Sequence, residues 1–490
     1  MPRIPFDSFK TGILGLDRNS NGLYAFGNDS NKRGLMKNND GEKETETSNL
    51  IENMAKSISR RRFLAVSGAA ALSAVAVACG SSESSDTTVA APSTDAPVAE
   101  EEIGGEITLW AWGAGLEGDK TKERIAYFNS KYPNVKVNWE PLAKNGYEEY
   151  PALLARFASG NAPDVMRVLN FQPTQLVAEG DALLALDDFI AADPDIDMAD
   201  FLAPTVLGGQ VNGKQYGMPD NTEPYVIYYN KDAFAAAGLE DPQVLFGQGK
   251  WDQASFESSI NALMSKGGMK FGLAFEAWNY DTFCFMGGGT VLDSDQKPTI
   301  DQGASPQMLD FFAKLVKDGK SPSPVVGGGA QLEAFRNGEV GMYLMGPWWY
   351  GALAGTTKFK YDVTGLPSFN GVRAGKLELG SLAISSASKN PKAAWAYVKT
   401  VTDTEGLKIW SAVATPTRRS ALQAAGFNDE QWKKDAVAMV EAGTFTPFTT
   451  KGSAVDAAVS AALDNLWAGK STAAAATADA VKRLTEALGS

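Results

Sequence analysis

From residue 105 onward, segments with the pattern of strands alternate with segments with the pattern of helices, and this alternation restricts the possible folds more than any other feature. "GEITLWAW" predicts a strand, "DKTKERIAYFNSKYP" a helix that stops at Pro133, and "NVKVNWEPL" a second strand. A strand, a helix and a strand in this order form a parallel unit with a right-handed crossover. The alternation continues to the C-terminus and predicts an α/β protein with largely parallel sheets.

The length of the alternating region predicts more than one lobe. Its later segments include the predicted strands "DVMRVL", "YVIYYN" and "FGLAF" and a helix, "WDQASFESSINALMSKG", in which Asp252 stands at the N-cap position. The whole chain has 490 residues, which is too long for one small core even after a leader and a linker are removed. Two lobes are therefore expected.

An export leader is predicted some way into the chain. Arg60 and Arg61 precede the uncharged run Phe63–Ala78, which is shorter than a membrane-spanning helix and contains serines. The order of these residues resembles a twin-arginine signal. The segment that follows resembles a lipoprotein processing box in which Cys79 receives lipid. The alternative is a buried core helix with a basic cap, but no amphipathic order organises the run.

This leader divides the N-terminal part of the chain into three segments. Residues 1–53 are polar and show no sustained periodicity, and because Met54 begins "MAKSISRRRFL", we expect them to be a spurious extension. Residues 54–79 form the predicted signal peptide. Residues 80–103 consist mainly of serine, threonine, alanine, proline and glutamate, which predicts a disordered tether.

The composition excludes several classes of site. The sequence contains no histidine, so it cannot form a Ser/His/Asp or Cys/His nucleophile system or a zinc site built on imidazole, and we expect no metal. Its glycine clusters lack the spacing of a phosphate-binding loop, so we expect no cofactor. The net charge of −13 disfavours nucleic acid as a partner. Glycoside hydrolysis by two carboxylates needs no histidine and stays possible.

Several segments, in order between Gly105 and about Leu488, resemble the extracellular solute-binding proteins of carbohydrate-importing ABC transporters, the group that includes maltose-binding protein. The segments that carry the resemblance are "ITLWAW", "FNSKYPNVKVNWEPL", "ASGNAPDVMRV", "MPDNTEPYVIYYNKDAFAAAGL", "AFRNGEVGMYLMGPWW" and "SLAISSASKNPKAAWAYVKTVTDTEGLKIW". The resemblance implies a two-lobe fold like that of the type II periplasmic binding proteins, with a ligand cleft and a hinge. Projected onto this chain, it assigns residues 104–220 and 371–416 to lobe one and residues 221–370 and 417–490 to lobe two.

The resemblance also implies a function. Members of this family are not enzymes; they capture a carbohydrate outside the cytoplasmic membrane and deliver it to the permease of an ABC importer. Together with the predicted leader, this implies an exported protein that acts as a monomer at the cell surface or in the periplasm. A lipid on Cys79 would anchor it to the membrane.

A sugar site needs aromatic faces and side chains that exchange hydrogen bonds with hydroxyls. Trp348 in "GPWWY" matches the stacking tryptophan of the family, and Trp112 matches a position that faces the cleft, although it could also serve packing. In "FEAWNY", Glu276 and Trp278 alternate after a strand, with Tyr280 a weaker candidate. The family places a glutamate and an aromatic ring here. The alternative is a loop whose rings pack on lobe two.

Two polar positions complete the expected site. Glu223 matches, by its spacing before Asn230, an acidic residue that contacts sugar in maltose-binding members, but it could equally be an exposed carboxylate of the hinge. Asn170, and with less support Arg167, ends a strand where family members present a polar contact. Either residue could instead be a helix cap or a surface charge.

Residues 451–456 depart from the pattern of the maltodextrin-binding members, which carry aromatic residues there, whereas this chain has "KGSAVD". This departure disfavours maltodextrin and leaves the sugar open. Two other functions also stay open at this point. One is a secreted glycosidase that uses Glu223 and Glu276, and the other is a binding protein for a polyamine or a peptide, which the negative charge would tolerate.

Overall fold

The computed structural model describes residues 103–113, 115–142, 149–178, 180–325 and 329–489, with the side chains of residues 351 and 352 left undescribed. The predicted extension, the signal peptide with Arg60 and Arg61, the lipidation site Cys79 and all but the end of the predicted tether lie outside these residues. Within the described part, no helix is both long and apolar enough to cross a membrane.

Strands and helices alternate over most of the described chain. The strands are β1 (Gly105–Trp112), β2 (Val135–Leu142), β3 (Val165–Leu169), β4 (Gln210–Val211), β5 (Lys214–Gln215), β6 (Gly217–Pro224), β7 (Val226–Asn230), β8 (Phe271–Ala274), β9 (Val340–Met345), β10 (Tyr361–Thr364) and β11 (Leu377–Ile384). The helices of the first half are α1 (Gly115–Lys131), α2 (Tyr150–Ser159), α3 (Gln172–Ala178), α4 (Asp187–Ala192), α5 (Ala203–Gly208), α6 (Lys231–Ala237), α7 (Pro242–Gly247) and α8 (Gln253–Ser265). Those of the second half are α9 (Tyr280–Met286), α10 (Ser305–Lys317), α11 (Ala330–Arg336), α12 (Tyr350–Leu353), α13 (Pro391–Val401), α14 (Thr404–Trp410), α15 (Arg419–Ala424), α16 (Gln431–Ala442), α17 (Gly452–Trp467) and α18 (Ala473–Leu488).

The first large sheet has the strand order β2-β1-β3-β11-β6. β1 pairs in parallel with both β2 and β3, as the strand–helix–strand pattern predicts. β11 runs antiparallel to β3 on one side and to β6 on the other. The second large sheet has the order β10-β7-β9-β8, in which only β8 and β9 are parallel.

The expectation of largely parallel sheets was therefore wrong, because both sheets are mixed. The prediction assumed that each strand returns to its own sheet through a helix, which makes neighbours parallel. In this fold β6 leads directly into β7 through Tyr225, so the chain passes from the first sheet to the second without a helix. The chain then returns from the second sheet to form β11, so β11 does not follow a crossover helix of the first sheet that would fix its direction.

Each large sheet packs in its own hydrophobic core. Phe128, Leu382 and Trp395 belong to the core of the first sheet, and Trp251, Phe275 and Phe312 belong to a core of the second. Because alternate residues of a strand point to opposite faces, β1 contributes Leu109 to one core of the first sheet and Trp110 to another. The helix predicted to begin at Asp252 does so, because the Asp252 carboxylate accepts from the backbone N–H of Ser255 and the Ser255 hydroxyl completes a capping box.

Within the part of the chain that the structure describes, three segments connect the two sheet units. The first is the passage from β6 to β7, and the second is residues 365–376, which lead into β11. The third, residues 443–451, pairs with the second, since the backbone N–H of Thr444 donates to the carbonyl of Gly375 over 2.9 Å. The lobe boundary near residue 416 stays a prediction. Arg418, just beyond it, donates to the carbonyl of Thr402 over 2.6 Å beside the helices of the first sheet.

Candidate functional site

Two glutamates face each other where β6 and β11 pair at the end of the first sheet. Glu223 and Glu378 are register partners in this antiparallel pair. Asn170, directly after β3, donates from its Nδ2 to Glu378 over 2.5 Å and accepts from the backbone N–H of Leu379 over 2.8 Å. Its φ of 42° lies in the left-handed region, which asparagine tolerates better than most residues. Asn170 is therefore fixed by the sheet and holds one of the two glutamates.

Glu223 is buried and carries a raised pKa of about 8. Burial is the main cause, because it penalises the charged carboxylate, and the charges of Glu117 and Glu378 act in the same direction. Arg167 and a backbone hydrogen bond from Thr415 oppose the shift. Glu223 is thus not the exposed hinge carboxylate that sequence reasoning allowed as an alternative.

A buried ionic cluster lies beside Glu223. The guanidinium of Arg167 stacks 3.8 Å from the ring centre of Trp112 and donates to the side-chain carbonyl of Asn221. Its Nε lies 3.5 Å from Asp220, which also accepts from Arg124 over 2.6 Å. One face of Trp112 is therefore covered by a cation. Arg167, the less favoured of the two candidates at the end of β3, is neither a helix cap nor a surface charge.

A second group of charged residues joins the two sheet units. The ammonium of Lys376, just before β11, lies 3.2 Å from Asp281 on α9 and 3.0 Å from Glu378. Nearby, the hydroxyl of Tyr280 donates to Asp456 on α17 over 2.9 Å. Burial is the main cause that raises the pKa of Asp281 to about 6 and also raises the pKa of Asp456. These side chains form a polar floor between the sheets.

This floor surrounds a cavity of about 50 Å³, which we call the floor cavity. Its lining residues are Asn170, Phe171, Asp281, Lys376, Leu377, Phe445, Thr446, Pro447, Phe448, Thr449, Gly452, Val455 and Asp456. Asn170 is the one predicted site residue in this lining. Sequence reasoning missed Asp281, Lys376 and Asp456, although Asp456 ends the "KGSAVD" segment that departs from the maltodextrin-binding pattern.

An aromatic cluster forms the third part of the site, on the side of the second sheet. The ring centre of Tyr225 lies 6.1 Å from that of Trp278 and 6.0 Å from that of Trp348, both in edge-on arrangements. Trp278 is 42% exposed, whereas Tyr225 is fully buried. Because Tyr225 follows Glu223 by two residues, the chain itself connects this cluster to the carboxylate pair.

The close approach of the Trp348 ring to the backbone explains why a glycine begins the "GPWW" sequence. The ring of Trp348 lies against the backbone of Gly346, where a Cβ atom would come within 1.6 Å of the indole. Only glycine fits under the ring at this position. The carbonyl of Gly346 also accepts from the hydroxyl of Tyr228 over 2.9 Å, which holds the turn against the second sheet.

Glu276 lies two residues after the end of β8, where it accepts from the hydroxyl of Tyr343 over 3.0 Å. Burial raises its pKa, and the bond from Tyr343 opposes that shift. Glu276 is therefore held in place by a hydrogen bond to the neighbouring strand β9. No group of three or more Asp, Glu, His or Cys side chains within the described residues is arranged to hold a metal ion.

The polar floor thus lies where the two sheet units meet, and the aromatic cluster lies on the side of the second sheet. The sequence model described as "Bacterial extracellular solute-binding protein" matches residues 123–440. The chain belongs to this family. The match covers most of both sheet units and includes β6, β7 and β11, which carry the carboxylate pair and the connection between the sheets.

Curated relatives and solved structures agree with this assignment. The sn-glycerol-3-phosphate-binding periplasmic protein UgpB of Escherichia coli K12 is 28% identical over 279 residues, which cover 53% of this chain and 60% of that protein. UgpB of Pectobacterium atrosepticum is 26% identical over 282 residues. The chain thus matches about three fifths of the length of these relatives, which are binding proteins rather than enzymes.

The structural neighbours confirm the predicted two-lobe fold. The substrate-binding protein Lmo0181 of Listeria monocytogenes, solved with cycloalternan, has a TM-score of 0.68 at 22% identity and covers 78% of this chain and 99% of its own. UgpB of Mycobacterium tuberculosis, solved with glycerophosphocholine, has a TM-score of 0.67 at 19% identity and covers 79% and 98%. The sugar-binding protein MalE of Xanthomonas citri has a TM-score of 0.68 at 20% identity and covers 79% and 98%.

Proposed function

We propose that this solute-binding protein captures a carbohydrate outside the cell and delivers it to the permease of an ABC importer. The observation that carries the proposal is the placement of the aromatic cluster beside the carboxylate pair of Glu223 and Glu378, to which Tyr225 connects it along the chain. Carboxylates and amides accept and orient the hydrogen bonds of sugar hydroxyls, and aromatic rings cover the apolar faces of a pyranose. Trp278 presents the most open aromatic surface of the cluster.

The site residues take different parts in this proposal. Trp278 and Trp348 would stack on the sugar, with Tyr225 supporting both rings from below. Glu223 and Asp456 would bond hydroxyls directly. Asn170, Glu276 and Trp112 would act mainly by holding Glu378, Tyr343 and Arg167 in place, because their contacts with these neighbours occupy the groups that would otherwise reach a ligand.

Closure of the cleft around a ligand would connect ligand binding to transport. A ligand that touches both sheet units stabilises the closed arrangement selectively, and the three connecting segments allow a hinge motion. We propose that the permease binds this closed form. The predicted lipid on Cys79 would keep the protein close to the membrane, and the intact mass of the exported protein would reveal both the cleavage before Cys79 and the added lipid.

Glycerol 3-phosphate is a second candidate because the curated relatives described above are named for it. The polar floor disfavours this anion. Lys376 is the one cation in the lining of the floor cavity as the structure describes it, and Asp281 and Glu378 already surround it. A phosphate would meet these carboxylates at short range, where like charges repel strongly in a partly dehydrated site.

The two other functions, a glycosidase and a polyamine-binding protein, would each need a different site geometry. A glycosidase needs one carboxylic acid and one carboxylate on either side of a single glycosidic bond. Glu223 pairs with a strand of the first sheet and Glu276 bonds within the second, so cleft closure would have to bring them to a common substrate. A protonated polyamine would suit ionised carboxylates, but its ammonium groups cannot accept the hydrogen bond that protonated Glu223 can donate. An unchanged oligosaccharide after prolonged incubation with the protein would count against hydrolysis.

The experiment is a thermal-shift screen of the purified protein against neutral mono- and oligosaccharides, sn-glycerol 3-phosphate, spermidine and short peptides. A ligand that binds only the folded state stabilises it by about 2.7 kcal/mol at a hundredfold excess over Kd. We expect a saturable shift with one class of neutral sugar, and a much smaller shift in the Trp278→Ala variant. A shift with glycerol 3-phosphate or spermidine alone would overturn the proposed carbohydrate.

A further inference from the structure

Glu378 belongs both to the carboxylate pair and to the polar floor. Its register partner across the strands is Glu223 on β6. It accepts from the Nδ2 of Asn170 over 2.5 Å and lies 3.0 Å from the ammonium of Lys376. Hydrogen bonds and a nearby cation both favour the charged form of a carboxyl group. The contacts of Glu378 therefore suit an ionised carboxylate.

The surroundings of Glu223 are different. Glu223 is 7% exposed, whereas the side chain of Glu378 is 20% exposed. The titratable groups that act on Glu223 or respond to it are Glu378 on β11, Arg167 on β3, Glu117 on α1 and Tyr228 on β7. The one cation in this set, Arg167, is paired with Asp220, since its Nε lies 3.5 Å from that carboxylate. Burial beside a second carboxylate, without a cation of its own, explains why the pKa of Glu223 rises to about 8.

Lys376 serves two carboxylates at once. Its ammonium lies 3.2 Å from Asp281 and 3.0 Å from Glu378, and the charge of Asp456 also acts on this group. The side chain of Asp281 is only 5% exposed, and burial raises its pKa to about 6. Of the two carboxylates at Lys376, Glu378 is the more exposed and also receives the amide of Asn170. Lys376 thus stabilises a negative charge on the carboxylate that faces Glu223.

We propose that Lys376 is a positioning residue of the binding site, which fixes the negative charge of the carboxylate pair on Glu378 and leaves the proton on Glu223. The pair then carries one charge instead of two. It presents one carboxyl group that donates a hydrogen bond and one carboxylate that only accepts. Lys376 acts through Glu378 and needs no contact with the ligand.

This division of roles selects the group that binds at the pair, and in this respect it rests on the proposed function. A sugar hydroxyl can accept from Glu223 and donate to Glu378. An ammonium group cannot accept, and a fully ionised phosphate cannot donate and would face the charge of Glu378. The pair therefore favours a neutral hydroxyl over either ion.

The location of the proton can be measured without a ligand, by a ¹³C NMR titration of the purified protein labelled at the side-chain carboxyl carbon of glutamate. We expect one glutamate to titrate near pH 8, and its signal to be absent in Glu223→Gln. In Glu378→Gln the signal should remain and move to lower pH, because the charge that raises the pKa of Glu223 is gone. A signal that disappears in Glu378→Gln and remains in Glu223→Gln would overturn the proposal.

The same titration tests the role of Lys376. In Lys376→Met, Glu378 keeps the charge of Asp281 nearby but loses its cation, so a further glutamate should titrate at higher pH than in the wild type. This signal should be absent when Glu378→Gln is added. Lys376→Arg keeps the positive charge and should restore the titration of the wild type. A titration of Glu378 that Lys376→Met leaves unchanged would show that Lys376 does not fix its charge.

The affinity for a sugar gives a separate measurement. The probe is the neutral sugar with the largest shift in the thermal-shift screen, titrated by calorimetry at pH 7 and pH 9. Its affinity should be about tenfold lower at pH 9, because only about one protein molecule in eleven keeps a proton whose pKa is about 8. Glu223→Gln, which cannot ionise, should bind this sugar equally at both pH values. A wild-type affinity that is also equal at both would overturn the donor role of Glu223.

The two kinds of failure can be told apart. The carboxyl titrations involve no ligand, so a negative result there overturns the role of Lys376 and leaves the carbohydrate function standing. A screen in which no neutral sugar binds would overturn the proposed function and, with it, the hydroxyl as the group that the pair selects.

Discussion

Glu223 and Glu378 lie directly opposite each other on the antiparallel strands β6 and β11. Like charges in this position destabilise a strand pair, and burial makes the ionised form of Glu223 still less favourable. The raised pKa of about 8 keeps Glu223 largely protonated at neutral pH, so it can donate a hydrogen bond as well as accept one. This property suits a ligand whose hydroxyls need both donors and acceptors.

The stability of the protein should fall as the pH rises towards 8. Below the ordinary carboxyl pKa of 4.5, Glu223 is protonated in both the folded and the unfolded state and contributes nothing. As the pH rises, the unfolded state loses its proton first, so folding becomes less favourable until the pH passes the folded-state pKa of about 8. Asp281, with a pKa of about 6, adds to the decline in the lower part of this range.

Urea unfolding of the wild type and of Glu223→Gln at a series of pH values checks this prediction. The variant should lose less of its free energy of unfolding than the wild type between pH 6 and 8, because the glutamine cannot ionise. Glu441→Gln, at an exposed residue paired with Arg419, provides the control and should follow the wild type. Parallel pH dependence in all three proteins would show that Glu223 is not the titrating group.

Gly346→Ala should displace Trp348 and weaken sugar binding. The added methyl group would overlap the indole ring, so either the ring or the turn must move, at a cost of about 1 to 3 kcal/mol in the free energy of unfolding. The control is Gly247→Ala, since a Cβ there meets no atom within 4 Å. Calorimetry and chemical unfolding of both variants test the prediction, and normal binding by Gly346→Ala would mean that Trp348 does not contact the ligand.

Lys376→Met should destabilise the protein more than the loss of a surface ion pair does. The side chain of Lys376 is mostly buried between Asp281 and Glu378, and its removal leaves these carboxylates close together without a cation. We expect a loss of about 1 to 3 kcal/mol, against less than about 1 kcal/mol for Lys408→Met, which breaks an exposed pair with Glu405. If the two variants lose the same free energy of unfolding in urea, the charged side chains of the polar floor do not depend on Lys376.

Trp278→Ala should weaken sugar binding and leave the stability of the protein nearly unchanged. Because the side chain is substantially exposed, its removal should change the free energy of unfolding by about 1 kcal/mol or less. The affinity for the sugar should fall about tenfold or more if the ring stacks on the ligand. Val244→Ala on α7 has the same 42% exposure outside the cleft and serves as the control. A full loss of stability without a specific loss of binding would assign Trp278 to packing.

Much of the fold could be predicted from the sequence because its local signals agree. The period of the apolar residues placed β1, β2 and the helix between them, and Asp252 marked the start of α8 through its cap. The direction of β11 could not be predicted, because it depends on where the chain returns after a long excursion through the second sheet. No local sequence pattern indicates where the chain re-enters the first sheet.

The candidate site was predictable only in part, for the same reason. Trp278 and Trp348 follow strands of the second sheet and could be found from their positions, but their shared neighbour Tyr225 was not among the predicted site residues. Asp281 and Asp456 belong to helices far apart in sequence, and only the packing of α9 and α17 beside β11 brings them to Lys376. Contacts of this kind have no signature in spacing or composition.

The most direct test of the central claim is an isothermal titration of the purified protein with neutral oligosaccharides and with sn-glycerol 3-phosphate under identical conditions. We predict saturable one-to-one binding of a neutral sugar and no measurable heat with the phosphate. Tight binding of glycerol 3-phosphate, with no response to any neutral sugar, would contradict it.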